Sequence, residues 1–267
     1  MNKMKVKSNT IIGAIAGDII GSTYEWNNVK TTNFKLFTPV STFTDDTVLT
    51  MAVADCLLHD FDFSETLWKY GREFYGLSYG PHFKTWLRDT SRRPYHSFGN
   101  GAVMRVSPIG FAYDNMQKVL KTAKLSAEIT HSHPEGIKGA QAIAAAVFLA
   151  NIGKTKQEIK YYIETNFYYD LNFTIEQIRS TYKFDVSCQG SVPQAIVAFL
   201  ESTDYENALR LAISIGGDSD TLACMAGGIA AAYYKKIPAN IIDFAASKLP
   251  QNFINLLNEF ENTFCKE

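Results

Sequence analysis

Two short acidic runs carry residue types that can do chemistry. Thr44-Asp45-Asp46-Thr47 opens a long apolar stretch, and Gly216-Gly217-Asp218-Ser219-Asp220-Thr221 opens a stretch of small residues. Both put paired carboxylates and hydroxyls at the start of a predicted helix. A helix start needs one such residue, because a single Asp, Ser or Thr oxygen caps the free amides there. Each run holds more than a cap uses. Residues i and i+2 do not share a helix face, so Asp218 and Asp220 converge only if their segment is a turn entering the helix. Carboxylates gathered in one place repel unless they are protonated or neutralised, and Mg²⁺ or Mn²⁺ takes oxygen ligands of this kind. Two readings stand at this point: ordinary capping of two separate helices, or one metal site assembled from both runs.

The elements that must position these groups read as helical throughout. Apolar residues recur at steps of three and four, with little alternation of period two. The spacing predicts helices over 47–58, 65–76, 83–88, 115–128, 136–152, 156–166, 192–200, 206–215, 221–234, 239–248 and 253–260. Gly153 falls where a helix stops, Pro193 fits a first helical turn, and Ser64 and Asp204 suit N-caps. Two helices, around 139–150 and 221–232, are rich in Ala and Gly, which lets neighbouring backbones approach closely. The fold class expected is all-α, a compact helical bundle forming one domain over 1–267. Irregular stretches at 27–43, 91–105 and 170–190 are where binding groups belong on such a scaffold.

Composition narrows the functions. The 267 residues are 46% hydrophobic and 20% charged, which excludes a disordered or collagen-like chain. With 26 basic against 27 acidic residues, the net charge of −1 offers no general attraction to nucleic acid or anionic membranes. Cys56, Cys188, Cys224 and Cys265 are too far apart for a CxxC pair, so free thiols in a reducing compartment are expected. Lys3, Lys5 and Lys7 before the apolar stretch 11–20 resemble a signal peptide, but Gly13, Gly17 and Asp18 interrupt it. A cytoplasmic protein without a membrane span is expected.

Further motifs extend the pattern: Gly17-Asp18-Ile19-Ile20-Gly21 with Glu25 after it, Ser97-Phe98-Gly99-Asn100-Gly101-Ala102-Val103-Met104-Arg105, and Ile129-Thr130-His131-Ser132-His133-Pro134. Alone, the Gly99–Gly101 stretch reads as a turn or as a loop that approaches a phosphate or ribose. In order with the two acidic runs, the five segments resemble the ADP-ribosylglycohydrolase family, which includes the dinitrogenase reductase-activating glycohydrolases.

That resemblance implies an all-α domain with two Mg²⁺ or Mn²⁺ ions at the base of a cleft. It also implies hydrolysis of the bond joining C1″ of ADP-ribose to an acceptor, such as an ADP-ribosylated protein or a small molecule containing ADP-ribose. Nucleic acid would enter only as a modified substrate. Thr44, Asp45 and Asp46 would bind metal from one side, and Asp218, Asp220 and Thr221 from the other. Gly99, Asn100, Gly101, Ala102, Met104 and His131 would contact the ligand. Asp45 or Asp218 would be the general base, with Glu25 gating the cleft or sharing acid–base work. His133 is expected to be a cap or surface residue. An inactive ADP-ribose-binding or structural protein on the same fold is the alternative. A monomer is the default oligomeric state.

Overall fold

The computed structural model describes residues 10–264, so Cys265 and the lysines at 3, 5 and 7 lie outside it. Fourteen α-helices and one 3-10 turn account for the regular structure of the described residues, with no strand among them. In chain order they are α1 (Ile12–Gly21), α2 (Asp45–His59), α3 (Phe63–Glu73), α4 (Pro81–Arg88), the 3-10 turn Asn100–Ala102, α5 (Ser107–Ala112), α6 (Met116–Glu128) and α7 (Pro134–Asn151). There follow α8 (Lys156–Phe167), α9 (Ile175–Arg179), α10 (Cys188–Glu201), α11 (Tyr205–Ser214), α12 (Ser219–Tyr234), α13 (Ala239–Lys248) and α14 (Gln251–Phe264). No helix of the described residues is long and apolar enough to cross a membrane.

The centre of the bundle is α12, buried continuously from Ser219 to Ala232. Its main partner is α1, a helix that periodicity did not predict. All ten residues of α1 are buried, and a helix buried on every side carries no amphipathic signal. The two helices meet through a glycine row. A Cβ on Gly13, Gly17 or Gly21 would overlap Ala231, the Ala223 carbonyl or the Asp220 backbone, respectively. This close approach sets the depth at which Asp220 sits. The Ala-rich α7 packs against α12 on another side, along with α10 and α11.

Caps account for most boundaries. Asn115, Thr155, Thr174 and Asp204 each accept a first-turn amide, and His133 caps α7 as expected. Gly153 takes the left-handed φ of +82° just beyond α7. Two expectations are corrected. The cap of α3 is Asp62 rather than Ser64, since its Oδ1 accepts the Glu65 amide at 2.8 Å. Pro193 lies in the second turn of α10 because Ser187 caps that helix earlier, accepting the Gly190 amide at 3.1 Å. The short α5 and α9 are additions inside stretches that showed no helical period.

Three irregular segments, 22–44, 89–106 and 168–187, are pinned to one another. Gly99 pairs with Ser187 in an isolated antiparallel bridge. The Asn100 amide donates to the Val186 carbonyl at 2.7 Å, and the Cys188 amide to Phe98 at 2.9 Å. Lys30 Nζ donates to the carbonyls of Tyr182 and Ile215. Loops distant in sequence are thereby held around one cavity.

Candidate active site

The first acidic run is set in place by a residue from another helix. Asp18, fully buried on α1, accepts from the amide and hydroxyl of Thr44 at 3.0 and 2.7 Å. It also accepts from the Thr47 amide at 3.1 Å and from the Thr47 hydroxyl. A carboxylate at the positive end of α2 is favourable in itself. Thr44 Oγ1 in turn accepts the Asp46 amide at 3.2 Å, which makes Thr44 the local cap. With capping satisfied by Asp18 and Thr44, the carboxylates of Asp45 and Asp46 are left for other work. Asp45 receives the Ser78 hydroxyl at 3.3 Å, and Asp46 Oδ2 is buried without a hydrogen-bond partner.

The second run is shaped by glycines. Gly216 and Gly217 adopt φ of +68° and +76°, a region costly for other residues, and so turn the chain sharply into α12. Asp218 occupies the N-cap position with φ −77° and ψ 73° but makes no capping bond. Its Oδ2 instead accepts Asn100 Nδ2 at 2.7 Å, reaching across 118 residues of sequence. The non-helical Asp218 is the turn that lets it converge with Asp220.

Glu25 arrives from the segment between α1 and α2. Asn28 holds this segment against the glycine turn. Its Nδ2 donates to the carbonyls of Tyr24 and Glu25 at 2.8 Å each and to Gly217 at 3.0 Å, while its Oδ1 accepts the Gly217 amide at 2.7 Å. Glu25, Asp218 and Asp220 then present carboxylate oxygens that lie within 4.8 Å of one another. The Thr221 hydroxyl interacts with Asp218 and with Asp46, which joins the two runs.

Gathering acids here strains their ionisation. Burial, then the charges of Asp218 and Asp45, push Glu25 up to about 7. Burial and Asp18 push Asp45 up to about 7, and burial holds Asp18 itself at about 6. Asp46 and Asp220 lie well above the usual carboxylate range, through desolvation first and neighbouring acids second. Asp218 is raised as well, mainly by burial. A divalent cation relieves both penalties at once, and the donor set is entirely hard oxygen. The orphaned Asp46 Oδ2 fits such an ion.

One cavity collects Glu25, Asp45, Asp46, Asp218, Asp220 and Thr221 with Gly99, Asn100, Gly101, Met104 and His131. Thr44 and Ala102 are not on its wall; both are buried, Thr44 against Asp18 and Ala102 in the core. The glycine loop differs from a simple amide cradle. The Gly99 amide donates to Ser97 Oγ at 3.0 Å and the Asn100 amide to Val186, so both turn back into the protein. Its glycines instead make room for the imidazole: a Cβ on Gly101 would come within 3.2 Å of His131 Nε2. Exposed aromatics rim the mouth. Trp26, 76% exposed, stacks on Phe184 at 5.4 Å.

Sequence pattern did not single out Asn28 or Asp18 for these duties. Asn28 carries no local signal, because its partner Gly217 lies 189 residues away.

Comparisons with known proteins identify the family. The family model for ADP-ribosylglycohydrolase matches residues 8–252. The chain is similar to ADP-ribosylhydrolase ARH3 of Homo sapiens, 28% identical with 84% of each chain covered. It is 29% identical to ADP-ribosylhydrolase ARH3 of Gallus gallus over the same shares. A solved structure described as an ADP-ribosylglycohydrolase-related protein complex shares the fold, with a TM-score of 0.69, 22% identity and 95% of each chain covered. With a match from residue 8 to 252 and the acidic cavity beneath it, the chain belongs to the ADP-ribosylglycohydrolase family, whose members are glycosidase-type hydrolases.

Proposed function

We propose that this chain hydrolyses the C1″ glycosidic bond of ADP-ribose, releasing it from a modified protein side chain with the aid of two Mg²⁺ or Mn²⁺ ions. The observation that carries the reading is the meeting of Glu25, Asp218 and Asp220 with Asp45 and Asp46 in one cavity walled by the glycine loop. Asp45 and Asp46 would hold metal from the start of α2, and Asp218, Asp220 and Thr221 from the start of α12, while Thr44, expected as a ligand, stays off the cavity wall with its hydroxyl on Asp18. Bound divalent cations supply charge neutralisation and Lewis-acid polarisation to such a site.

The protein groups supply the rest. Cleavage of a glycosidic bond passes through an oxocarbenium-like state and needs one group to take a proton from water and another to give one to the leaving group. Asp45 or Asp218 is suited to the first task, being fixed by Ser78 and Asn100 respectively. Glu25, on the segment between α1 and α2 with its carboxylate beside those of Asp218 and Asp220, is suited to the second. We further infer a reducing cytoplasm, a reading supported by the buried free thiols of Cys56, Cys188 and Cys224, and keep a monomer as the default oligomeric state.

The test is release of ADP-ribose from a panel of arginine- and serine-linked proteins, with and without a chelator. Release that stops on chelation and returns with Mg²⁺ or Mn²⁺ is expected. Asp218→Asn should lower kcat/KM by about 10²–10⁴-fold, the range for loss of a general acid or base. Full metal-dependent turnover in that variant removes Asp218 from the chemistry. Absence of release from every substrate, alongside tight ADP-ribose binding, would overturn the hydrolase reading in favour of a binding protein.

A further inference from the structure

Gly217 turns the chain into α12, and it is held in two ways: by the hydrogen bonds of Asn28 and by contact with the half-buried ring of Tyr182. A Cβ on Gly217 would come within 2.6 Å of Tyr182 Cε1 and 3.3 Å of the Lys183 carbonyl oxygen. Glycine is therefore needed here twice over, for a φ of +76° and for the room the ring takes. Tyr182 is fixed in turn. Its O–H donates to the Gly190 carbonyl in the first turn of α10 at 2.7 Å, and its own carbonyl accepts Lys30 Nζ at 2.6 Å. Lys30 Nζ also donates to the Ile215 carbonyl, just before the two glycines. Lys30 thus joins the segment that carries Glu25 and Asn28 to both Tyr182 and the turn.

This arrangement answers a weakness of the turn. Glycine loses more backbone freedom on ordering than any other residue, and here two stand in succession. Asp218 beyond them makes no capping bond, and it stands among acids that repel it. A turn left to itself would spread and carry Asp218 away from Asp220 and Glu25. Tyr182 is not on the cavity wall, so any effect it has on a ligand there passes through the turn. We propose that Tyr182 is a positioning residue whose ring braces Gly217, and that this brace keeps Asp218 within reach of one cation together with Asp220 and Glu25 before the ion arrives. Only the cation rests on the function proposed above, whereas the brace belongs to the fold.

Calorimetry of the full chain with Mn²⁺ alone reads the effect. Tyr182→Ala should raise the Kd about 5- to 30-fold, the worth of fixing one backbone residue. Tyr182→Phe keeps the ring and should bind as the wild type does. A side chain of purely structural value would lower stability in Tyr182→Ala without moving the Kd of the folded protein, and that result overturns the proposal. Equal losses in Tyr182→Phe and Tyr182→Ala would assign the effect to the O–H on Gly190 and overturn it as well. Should Tyr182→Ala not fold, Lys30→Met decides, because it leaves the core untouched and frees Tyr182 from the turn. Its Kd should rise about 3- to 10-fold, and a wild-type value overturns the proposal. A wild-type chain that binds no Mn²⁺ overturns the metal reading alone. Hydrogen exchange then tests the brace: the amides of 216–218 should exchange about 5- to 30-fold faster in Tyr182→Ala but not in Tyr182→Phe, and equal rates in all three chains overturn it.

Discussion

The two acidic runs look alike as sequence, yet the structure organises them by opposite means. On α2 the first run is a helix start fastened by hydroxyls and by Asp18, a fully buried acceptor from α1. On α12 the second run begins as a glycine turn without a capping bond, and its shape comes from Asn28 and Asn100. One run is built by short-range capping plus one remote carboxylate. The other depends on side chains 118 and 189 residues away. A pair of carboxylates at a helix start is therefore not one motif. What frees them for a ligand is how their capping duty is met elsewhere.

The largest break in this comparison should come from Asp18→Ala. It strips the acceptor from two amides and two hydroxyls in the core, at a cost of about 3–5 kcal/mol by the usual penalties for unpaired buried groups. Urea unfolding would show the midpoint falling accordingly. A loss below ~1 kcal/mol would mean that Thr44 suffices to cap α2, so that both runs are self-sufficient.

A smaller effect sharpens what the runs share. Glu25 and Asp45 are raised to about 7 in the folded chain, so the fold holds their protons more tightly than the unfolded chain does. That contribution to stability is present below the unfolded carboxylate range and is lost as pH rises through about 7. Metal-free protein should thus weaken between about pH 4 and 7. Mn²⁺ at 100 times its Kd should then add about 2.7 kcal/mol, or roughly 5–10 °C in Tm. Protons compete for the same oxygens, so the shift should be greater at about pH 8 than at about 5.5. Calorimetry showing an equal shift at both values would place the ion away from these carboxylates.

The smallest effects separate the runs most cleanly. Thr44→Val removes a cap and should cost about 1 kcal/mol of stability. Asn28→Ala removes hydrogen bonds made by an exposed side chain, most of them only part-buried, so its stability change should be smaller. Because it releases Glu25 from the Gly217 turn, the Mn²⁺ concentration for half-maximal turnover should rise about 3- to 10-fold. Equal metal titrations for Asn28→Ala and wild type would show that the turn holds its shape without the loop.

The sequence by itself determined much of this protein. Periodicity and caps placed most helices, because amphipathic faces and first-turn hydroxyls are local properties. Asp204 and Gly153 mark real helix ends for that reason. Ordered motifs brought Glu25, Asp45, Asp46, Asp218 and Asp220 into view together. Tertiary structure decided the rest. Buried on every side, α1 has no period to read, and its glycine row has meaning only against α12. That Thr44 turns inward to Asp18 while Asp218 is left uncapped depends on which helix lies behind each run. Propensity and capping act within one helical turn, whereas charge repulsion and proton placement depend on distances that only packing sets.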